Sequence, residues 1–383
     1  MNTRNAYLMN TLYLTNGRVM TPQGEDDRLL FCDGLIADDS CVADCEYDLE
    51  GDFLIPGLIE LHTDNLEKHF IPRAGVSWPA GLSSIAAHDV HMVVSGVTTV
   101  FDAITVGEPA NRRHRNELFT ASLDAIAAAT ERNLLRAEHF LHLRCELAGD
   151  GVVEQISPYM ECERLRLLSI MDHTPGQRQW RDLDKYKTYH SLHGATAEEF
   201  AERLNMLQTM QTKNASRNLE AIVDICRSLS LPLASHDDTT EDHVRENVDH
   251  GVSISEFPTT LEAAREARRH GLSIIMGAPN IVRGGSHSGN VSASELAKQG
   301  LLDILSSDYM PASLLHAAFL LPGLTGISLK KALETVTTNP AKAVGLNDRG
   351  ELAPGKRADA VRVKLVGDVP VVRAVWRSGQ RVL

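Results

Sequence analysis

Along the middle of the chain, short apolar runs alternate with stretches in which apolar residues recur at helical spacing. Eight of the runs read as strands: Leu54–Asp64, Gly96–Thr105, His139–Leu147, Leu165–His173, Leu231–His236, Val252–Phe257, Leu272–Ala278 and Leu302–Asp308. Helical periodicity separates most of them, over Asn116–Arg132, Ala197–Met210, Arg217–Ser228 and Leu261–His270. Alternating strands and helices predict an α/β fold with a parallel sheet. Eight strands over this length suit a closed (β/α)8, TIM-like barrel better than an open doubly wound sheet. The ends of the chain read differently. Leu12-Tyr-Leu-Thr-Asn-Gly-Arg-Val-Met predicts a hairpin around Asn16-Gly17, and Ala360–Leu365 with Val369–Trp376 repeat the β-rich character. Together the ends predict a small β-sandwich domain from residues 1–53 plus 346–383, set beside a barrel over residues 54–345. His88 and His91, at helical spacing, read as ordinary residues of a surface or core helix.

Composition narrows the class. With 43% hydrophobic and 23% charged residues, the chain has the make-up of a soluble globular protein. No apolar run approaches the roughly 20 residues that span a bilayer, and the N-terminal residues lack the blocks of a signal peptide. The six cysteines, at positions 32, 41, 45, 145, 162 and 226, form no Cys-x-x-Cys pair, so reduced thiols and a cytoplasmic location are expected. A net charge of −13 argues against nucleic-acid binding. It leaves room for a small phosphorylated ligand held by a local nest of cations, and it is compatible with a homo-oligomer.

The strand ends carry the chemistry. In a barrel the active site lies at the C-terminal ends of the strands. Ligand-type side chains fall there repeatedly: His62 and Asp64 on the first strand, Glu146 on the third, His173 on the fourth, His236 on the fifth, Glu256 on the sixth and Asp308 on the eighth. Strand alternation puts His62 and Asp64 on one face, within reach of one ion. A single such residue is commonly a cap or a loop residue, but a set ending successive apolar runs is hard to obtain from capping alone. Imidazoles and carboxylates without thiolates suit one or two divalent ions, zinc first and manganese or iron as alternatives.

These residues resemble the amidohydrolase superfamily of metal-dependent hydrolases. The likeness rests on the Pro56-Gly57-x-Ile59-x-x-His62 entry, the β-rich termini, the segment Thr335-Val-Thr-Thr-Asn-Pro-Ala-Lys-Ala and the Gly355-Lys-Arg-Ala-Asp-Ala return. Many members carry His-x-His on the first strand and a carbamylated lysine on the fourth. This chain has His62-x-Asp64 and no lysine in Leu165–His173, so the resemblance implies Glu146 as the bridging carboxylate. Asp308 matches the last-strand aspartate that binds metal and handles the proton of the attacking water. Strand six ends in Glu256 where a histidine is usual, so the second-metal imidazoles are assigned to His173 and His236. Three longer segments are similar to the PhnM family, the α-D-ribose 1-methylphosphonate 5-triphosphate diphosphatases of the carbon–phosphorus lyase pathway. They are His62-Thr-Asp-Asn-Leu-Glu-Lys-His69, Met171-Asp-His-Thr-Pro-Gly-Gln177 and Gly277-Ala-Pro-Asn-Ile-Val-Arg-Gly-Gly-Ser-His-Ser-Gly-Asn290. That likeness implies a ribosyl phosphonate triphosphate as substrate and pyrophosphate as a product.

A polyphosphate needs donors and cations. Arg283-Gly-Gly-Ser-His-Ser-Gly-Asn290 supplies glycines that let backbone N–H groups approach an anion, with Arg283, Ser286, His287, Ser288 and Asn290 as side-chain candidates. A mobile glycine-rich loop is the alternative reading of the same composition. Ser292-Ala-Ser-Glu295 then reads as a capping box opening a helix. Lys68, His69, Arg178 and Lys187 are further cationic candidates, and Asn65, Lys68 and His69 are expected to face the triphosphate. Two other functions fit the barrel: a cyclic amidase or deaminase cleaving C–N bonds, which needs no anion clamp, and an inactive scaffold within a phosphonate-cleaving complex.

Overall fold

The eight apolar runs form one parallel sheet in sequence order. Its strands are Leu58–Thr63, Val97–Val106, Glu138–Glu146, Leu165–Met171, Leu233–His236, Ile254–Glu256, Ser273–Gly277 and Ile304–Ser306. A bridge between Thr63 and Asp308 closes the first strand against the eighth. There Asp308 N donates to His62 O at 3.1 Å and Asp64 N donates to Asp308 O at 3.2 Å. The result is a (β/α)8 barrel, seen in a computed structural model that describes residues 11–38, 42–73, 75–107, 113–189, 194, 196–286 and 289–383. Alternate strand residues fill the barrel, among them Ile59, Leu61, Phe101, Phe140, Ile254 and Ile304. The opposite faces pack on the surrounding helices through a larger apolar layer.

The predicted first strand, Leu54–Asp64, divides at Gly57. Phe53–Pro56 joins a sheet built from the two ends of the chain, and Leu58 begins the barrel. A Cβ at position 57 would lie 2.2 Å from Thr98 Oγ1, so only glycine lets the chain turn so close to the second strand. The terminal residues make two sheets. A four-stranded sheet has the order Leu35–Ala37, Leu29–Cys32, Thr11–Thr15, Cys45–Asp48. A six-stranded one runs Gln380–Arg381, Val369–Arg377, Ala360–Val366, Phe53–Pro56, Arg18–Thr21, Gly24–Asp26. Leu14, Val19, Phe31, Leu49, Leu54 and Trp376 share one core between them. The buried Arg362 ties the C-terminal strand to the N-terminal segment, with Nε 2.6 Å from Asp52 Oδ2 and Nη1 3.1 Å from Tyr47 Oη.

Two sequence expectations are corrected. The hairpin around Asn16-Gly17 does not form, because Thr11–Thr15 and Arg18–Thr21 belong to different sheets. Leu14 and Val19 both point into the core between the sheets, so the turn is a corner carrying the chain from one to the other. The helices expected over Ala197–Met210 and Arg217–Ser228 are a single helix, Ala197–Leu229, because the intervening residues contain neither Gly nor Pro. It opens with a capping box between Thr196 and Glu199. Its buried Asn218 donates to Leu147 O and Gly149 O at 2.9 and 2.8 Å, fixing the turn that follows the third strand. Among the described residues no helix is long and apolar enough to cross a membrane. Cys145, Cys162 and Cys226 are free thiols, and Cys41 lies outside the described residues.

His88 is more than an ordinary helix residue. It is fully buried on Gly81–Val94 and donates through Nε2 to Asp102 Oδ1 at 2.8 Å. Asp102 Oδ2 accepts from His139 Nδ1 at 2.8 Å, and His139 Nε2 lies 3.3 Å from Asp89 Oδ1. A polar string thus crosses the otherwise apolar layer and pins this helix to the second and third strands. Burial opposes a charge on His139, yet Asp102 and Asp89 on its two sides raise its pKa to about 9. The stability this pairing confers is present below pH 6.5, where the free imidazole is also protonated, and is lost as pH rises through about 9. His139→Gln should therefore flatten the fall in unfolding free energy over that window by up to one proton. Denaturant titrations of parent and variant at several pH values measure this, and parallel pH curves would refute it.

Candidate active site

The seam of the barrel places the first set of groups. Glu60, buried on the first strand, accepts from His62 N at 2.7 Å and from Ser307 N at 2.6 Å. Burial lifts its pKa to about 7, against the hydrogen bonds from Ser307 and His62 that favour the anion. Asp308 follows the eighth strand with φ 53°, and this left-handed turn swings its carboxylate to the mouth of the barrel. Burial and then the charge of Asp64 raise the Asp308 pKa to about 7, although Arg144 and Lys68 pull it down. Asp64 reaches this spot by a route other than strand alternation. The strand ends at Thr63, and Asp64 caps Asn65–Phe70 with φ −96° and ψ 10°. It lies beside Asp308, while the residues grouped with His62 are His142 and Glu256.

The imidazoles come in carboxylate-bound pairs. His62 is buried, with Nδ1 2.9 Å from Glu256 Oε1. Burial and then the charge of Arg144 hold its pKa well below the usual range, so the ring is neutral. Its Nδ1–H donates to Glu256, and Nε2 keeps its lone pair. His236, at the end of the fifth strand, repeats the arrangement with Nδ1 2.8 Å from Asp237 Oδ2. The two rings lie 5.5 Å apart. A carboxylate on one ring nitrogen is the arrangement that orients a metal-binding imidazole. His173 differs: Nδ1 is 2.8 Å from Glu146 Oε2 and Nε2 3.6 Å from Asp237 Oδ2. Burial opposes its charge, but these carboxylates raise its pKa to about 9, so it must shed a proton before it can hold a metal. Glu256 Oε2 is buried and, among the described residues, has no hydrogen-bond partner. An unpartnered carboxylate oxygen among neutral imidazoles fits a divalent cation.

Known proteins share this architecture. The sequence profile described as "Amidohydrolase family" matches residues 161–383. The α-D-ribose 1-methylphosphonate 5-triphosphate diphosphatase of Escherichia coli (strain K12) is 48% identical over 341 residues, covering 88% of this chain and 89% of that protein. The chain belongs to the amidohydrolase family. Among solved structures, N-acetyl-D-glucosamine-6-phosphate deacetylase from Mycobacterium smegmatis superposes with a TM-score of 0.63 at 17% identity, covering 97% of this chain and 99% of that one. Molinate hydrolase gives 0.64 at 14% identity over 98% and 95%. At such identities these two share the fold.

On this amidohydrolase barrel the expected anion-binding residues separate. Lys68, exposed on Asn65–Phe70, donates to Tyr309 O and lies 5.1 Å from the centre of the Tyr309 ring. Arg283, exposed at the end of Ala278–Arg283, reaches Tyr309 Oη at 3.4 Å. These two form a cationic rim over the residue after Asp308. Ser286 Oγ accepts from Asn290 N at 3.3 Å within the following loop. His287 and Ser288 lie outside the described residues. Ser292 Oγ caps Ala293–Lys298 by accepting from Glu295 N at 3.1 Å.

Three cationic assignments change. His69 is turned inward, with Nε2 3.3 Å from Asn65 Nδ2. Burial and the neighbouring His88, His91 and Lys68 lower its pKa to about 4, so it is neutral at pH 7. Arg178 is committed to an ion pair with the fully buried Asp238. Lys187 rests 4.3 Å from the centre of the Phe200 ring, in a satellite cluster with Trp180 and Tyr186. The sequence reading missed His142, Arg144 and Asp237. His142-x-Arg144-x-Glu146 carries the period of two that would have exposed the first pair, and Asp237 directly follows a predicted ligand.

Protein stripped with a chelator should gain several degrees in Tm when zinc or manganese is restored, because an ion that binds only the folded state stabilises it. Glu256→Gln keeps the volume and removes the charge beside His62, so its gain should be clearly smaller. Equal gains in thermal scans of the two proteins would detach Glu256 from the ion.

Proposed function

We propose that this chain is a metal-dependent diphosphatase of phosphonate catabolism. It would hydrolyse α-D-ribose 1-methylphosphonate 5-triphosphate to 5-phosphoribosyl 1-methylphosphonate and pyrophosphate, in the cytoplasm. The observation that carries this reading is the 48% identity to the E. coli diphosphatase along nearly the full length of both chains. The cationic rim of Lys68 and Arg283 favours it over a C–N hydrolase, whose uncharged substrates need no such rim. We assign one or two divalent ions, zinc first, to His62, Asp64, Glu146, His173, His236 and Asp308. When bound, such ions acidify the attacking water and offset phosphoryl charge.

The chain's own groups supply the rest. Asp308 accepts the proton of the attacking water at its carboxylate, and a pKa lifted toward neutrality suits that exchange. The water oxygen bonds to the α-phosphorus as the bond to the α–β bridging oxygen breaks. Pyrophosphate leaves with the electron pair of that bond. Lys68 and Arg283 hold the anionic tail, and Ser286 with Asn290 orders the loop beside it. Asp238 and Phe200 keep Arg178 and Lys187 out of this work.

Asp308→Asn should fold normally by circular dichroism and release pyrophosphate about a thousandfold more slowly, the range of a lost general base. Near-normal release would remove Asp308 from the proton transfer. Parallel assays with hydantoin-type rings should show no ring opening, and ring opening in place of pyrophosphate release would favour the C–N alternative. Lys68→Ala and Arg283→Ala should raise KM roughly tenfold with kcat little changed, as expected for contacts made equally in ground and transition states.

A further inference from the structure

Arg144 is unexplained by the groups assigned so far. It stands between His142 and Glu146 on the third strand, and alternation turns all three toward the barrel mouth. Its only described hydrogen bond runs from Nη2 to His236 Nε2, at 3.3 Å. Among the described residues no carboxylate lies within ion-pair distance of it, and Nε is buried without a hydrogen-bond partner. A guanidinium prefers a planar, two-pronged oxyanion. Three of the carboxylates around it already face imidazoles: Glu146 faces His173, Glu256 faces His62 through Oε1, and Asp237 faces His236. The charge of Arg144 nevertheless acts on the whole site, opposing protonation of His62 and His142 and drawing the Asp308 pKa down. It is a cation with unmet donors at the bottom of the candidate site.

The nitrogen it rests on is the informative part. Because Nδ1 of His236 donates to Asp237, Nε2 offers a single lone pair, and a divalent ion on that ring would need the same one. We propose that Arg144 and the divalent ion compete for His236 Nε2, and that the displaced guanidinium becomes the clamp on the phosphoryl group undergoing attack. This rests on the polyphosphate reading of the site. Repulsion between the two cations and the shared lone pair disfavour simultaneous occupancy of His236. Once displaced, the guanidinium has several N–H donors in a buried site, and the carboxylates still open there, Asp308 and the Oε2 of Glu256, are groups that the divalent ion itself would take. Phosphoryl oxygens satisfy that demand. Metal binding and oxyanion binding are thereby coupled, each favouring the arrangement that the other needs.

The test uses Arg144→Met and Arg144→Lys, with calorimetric titration of chelator-stripped protein by zinc and of zinc-loaded protein by inorganic triphosphate. Arg144→Met removes the competitor and the clamp together. It should bind zinc at least about tenfold more tightly, as expected from deleting a nearby like charge, and bind inorganic triphosphate at least about tenfold more weakly. Its kcat for pyrophosphate release should fall by more than KM rises. Arg144→Lys keeps the charge without the fork, so it should return zinc affinity close to the parent value and restore only part of the triphosphate binding. Weaker zinc binding by Arg144→Met would make Arg144 a structural support and overturn the proposal, as would unchanged triphosphate binding. If the parent protein releases no pyrophosphate but the opposed zinc and triphosphate shifts persist, Arg144 keeps this role and the substrate assignment fails instead.

Discussion

The barrel depends on the carboxylate of Glu60. Its two oxygens take the amide of His62 on the first strand and the amide of Ser307 beyond the eighth, at 2.7 and 2.6 Å. Strands one and eight meet through the isolated bridge at Thr63 and Asp308, and the side chain of Glu60 spans the remaining gap. Each buried amide left without an acceptor would cost about 1–3 kcal/mol. Glu60 removes that cost at the position where the chain turns out of the strand to present His62, Asp64 and Asp308. Fold closure and site geometry are set by the same few hydrogen bonds. Ser306 Oγ on His62 O and Thr63 Oγ1 on Asp308 O reinforce them from either side.

From that seam the polar interior is organised as matched pairs. His62 has Glu256, His236 has Asp237, His173 has Glu146, and behind the second and third strands His88 and His139 share Asp102. Burial of so many titratable groups is tolerable only when each charge has a partner. The two families of pairs differ in purpose. Inside the barrel, each imidazole has a carboxylate on Nδ1, the arrangement that orients a metal-binding ring. Between barrel and helices, both nitrogens of His139 are occupied by carboxylates, and the string acts as a polar fastener.

The sequence made the strands legible as short, nearly continuous apolar runs, the signature of barrel strands buried on both faces, and six of the eight carry a ligand-type residue at or near their C-terminal end. The strand range Leu54–Asp64 runs through Gly57, the break between two sheets, since Leu54-Ile55 and Leu58-Ile59 are equally apolar on either side of it. The ligand-type residues were legible for the same reason as the strands: position at a C-terminal end is readable from order alone. Cations were not. Arg178 meets Asp238 and Lys187 meets Phe200 only after the chain has folded, and His69 loses its charge to burial and then to His88 and His91 from another helix. Arg144 was hidden by its surroundings, because a lone arginine inside an apolar strand looks like an outward-facing residue until Glu146 two positions on fixes the face.

The six-stranded sheet has a temporal side. Phe53–Pro56 lies between Arg18–Thr21, which precedes it, and Ala360–Val366, which follows the entire barrel in the chain. During synthesis the strands that precede the barrel leave the ribosome before it and expose an unpaired edge while some three hundred residues of barrel are still being made, at rates of about 5–20 residues per second. That edge carries Phe53, Leu54 and Ile55, all apolar and all covered in the finished protein. The strands translated after the barrel therefore act as a cover, and the interval before they arrive is when the nascent chain is most exposed to pairing with the wrong partner.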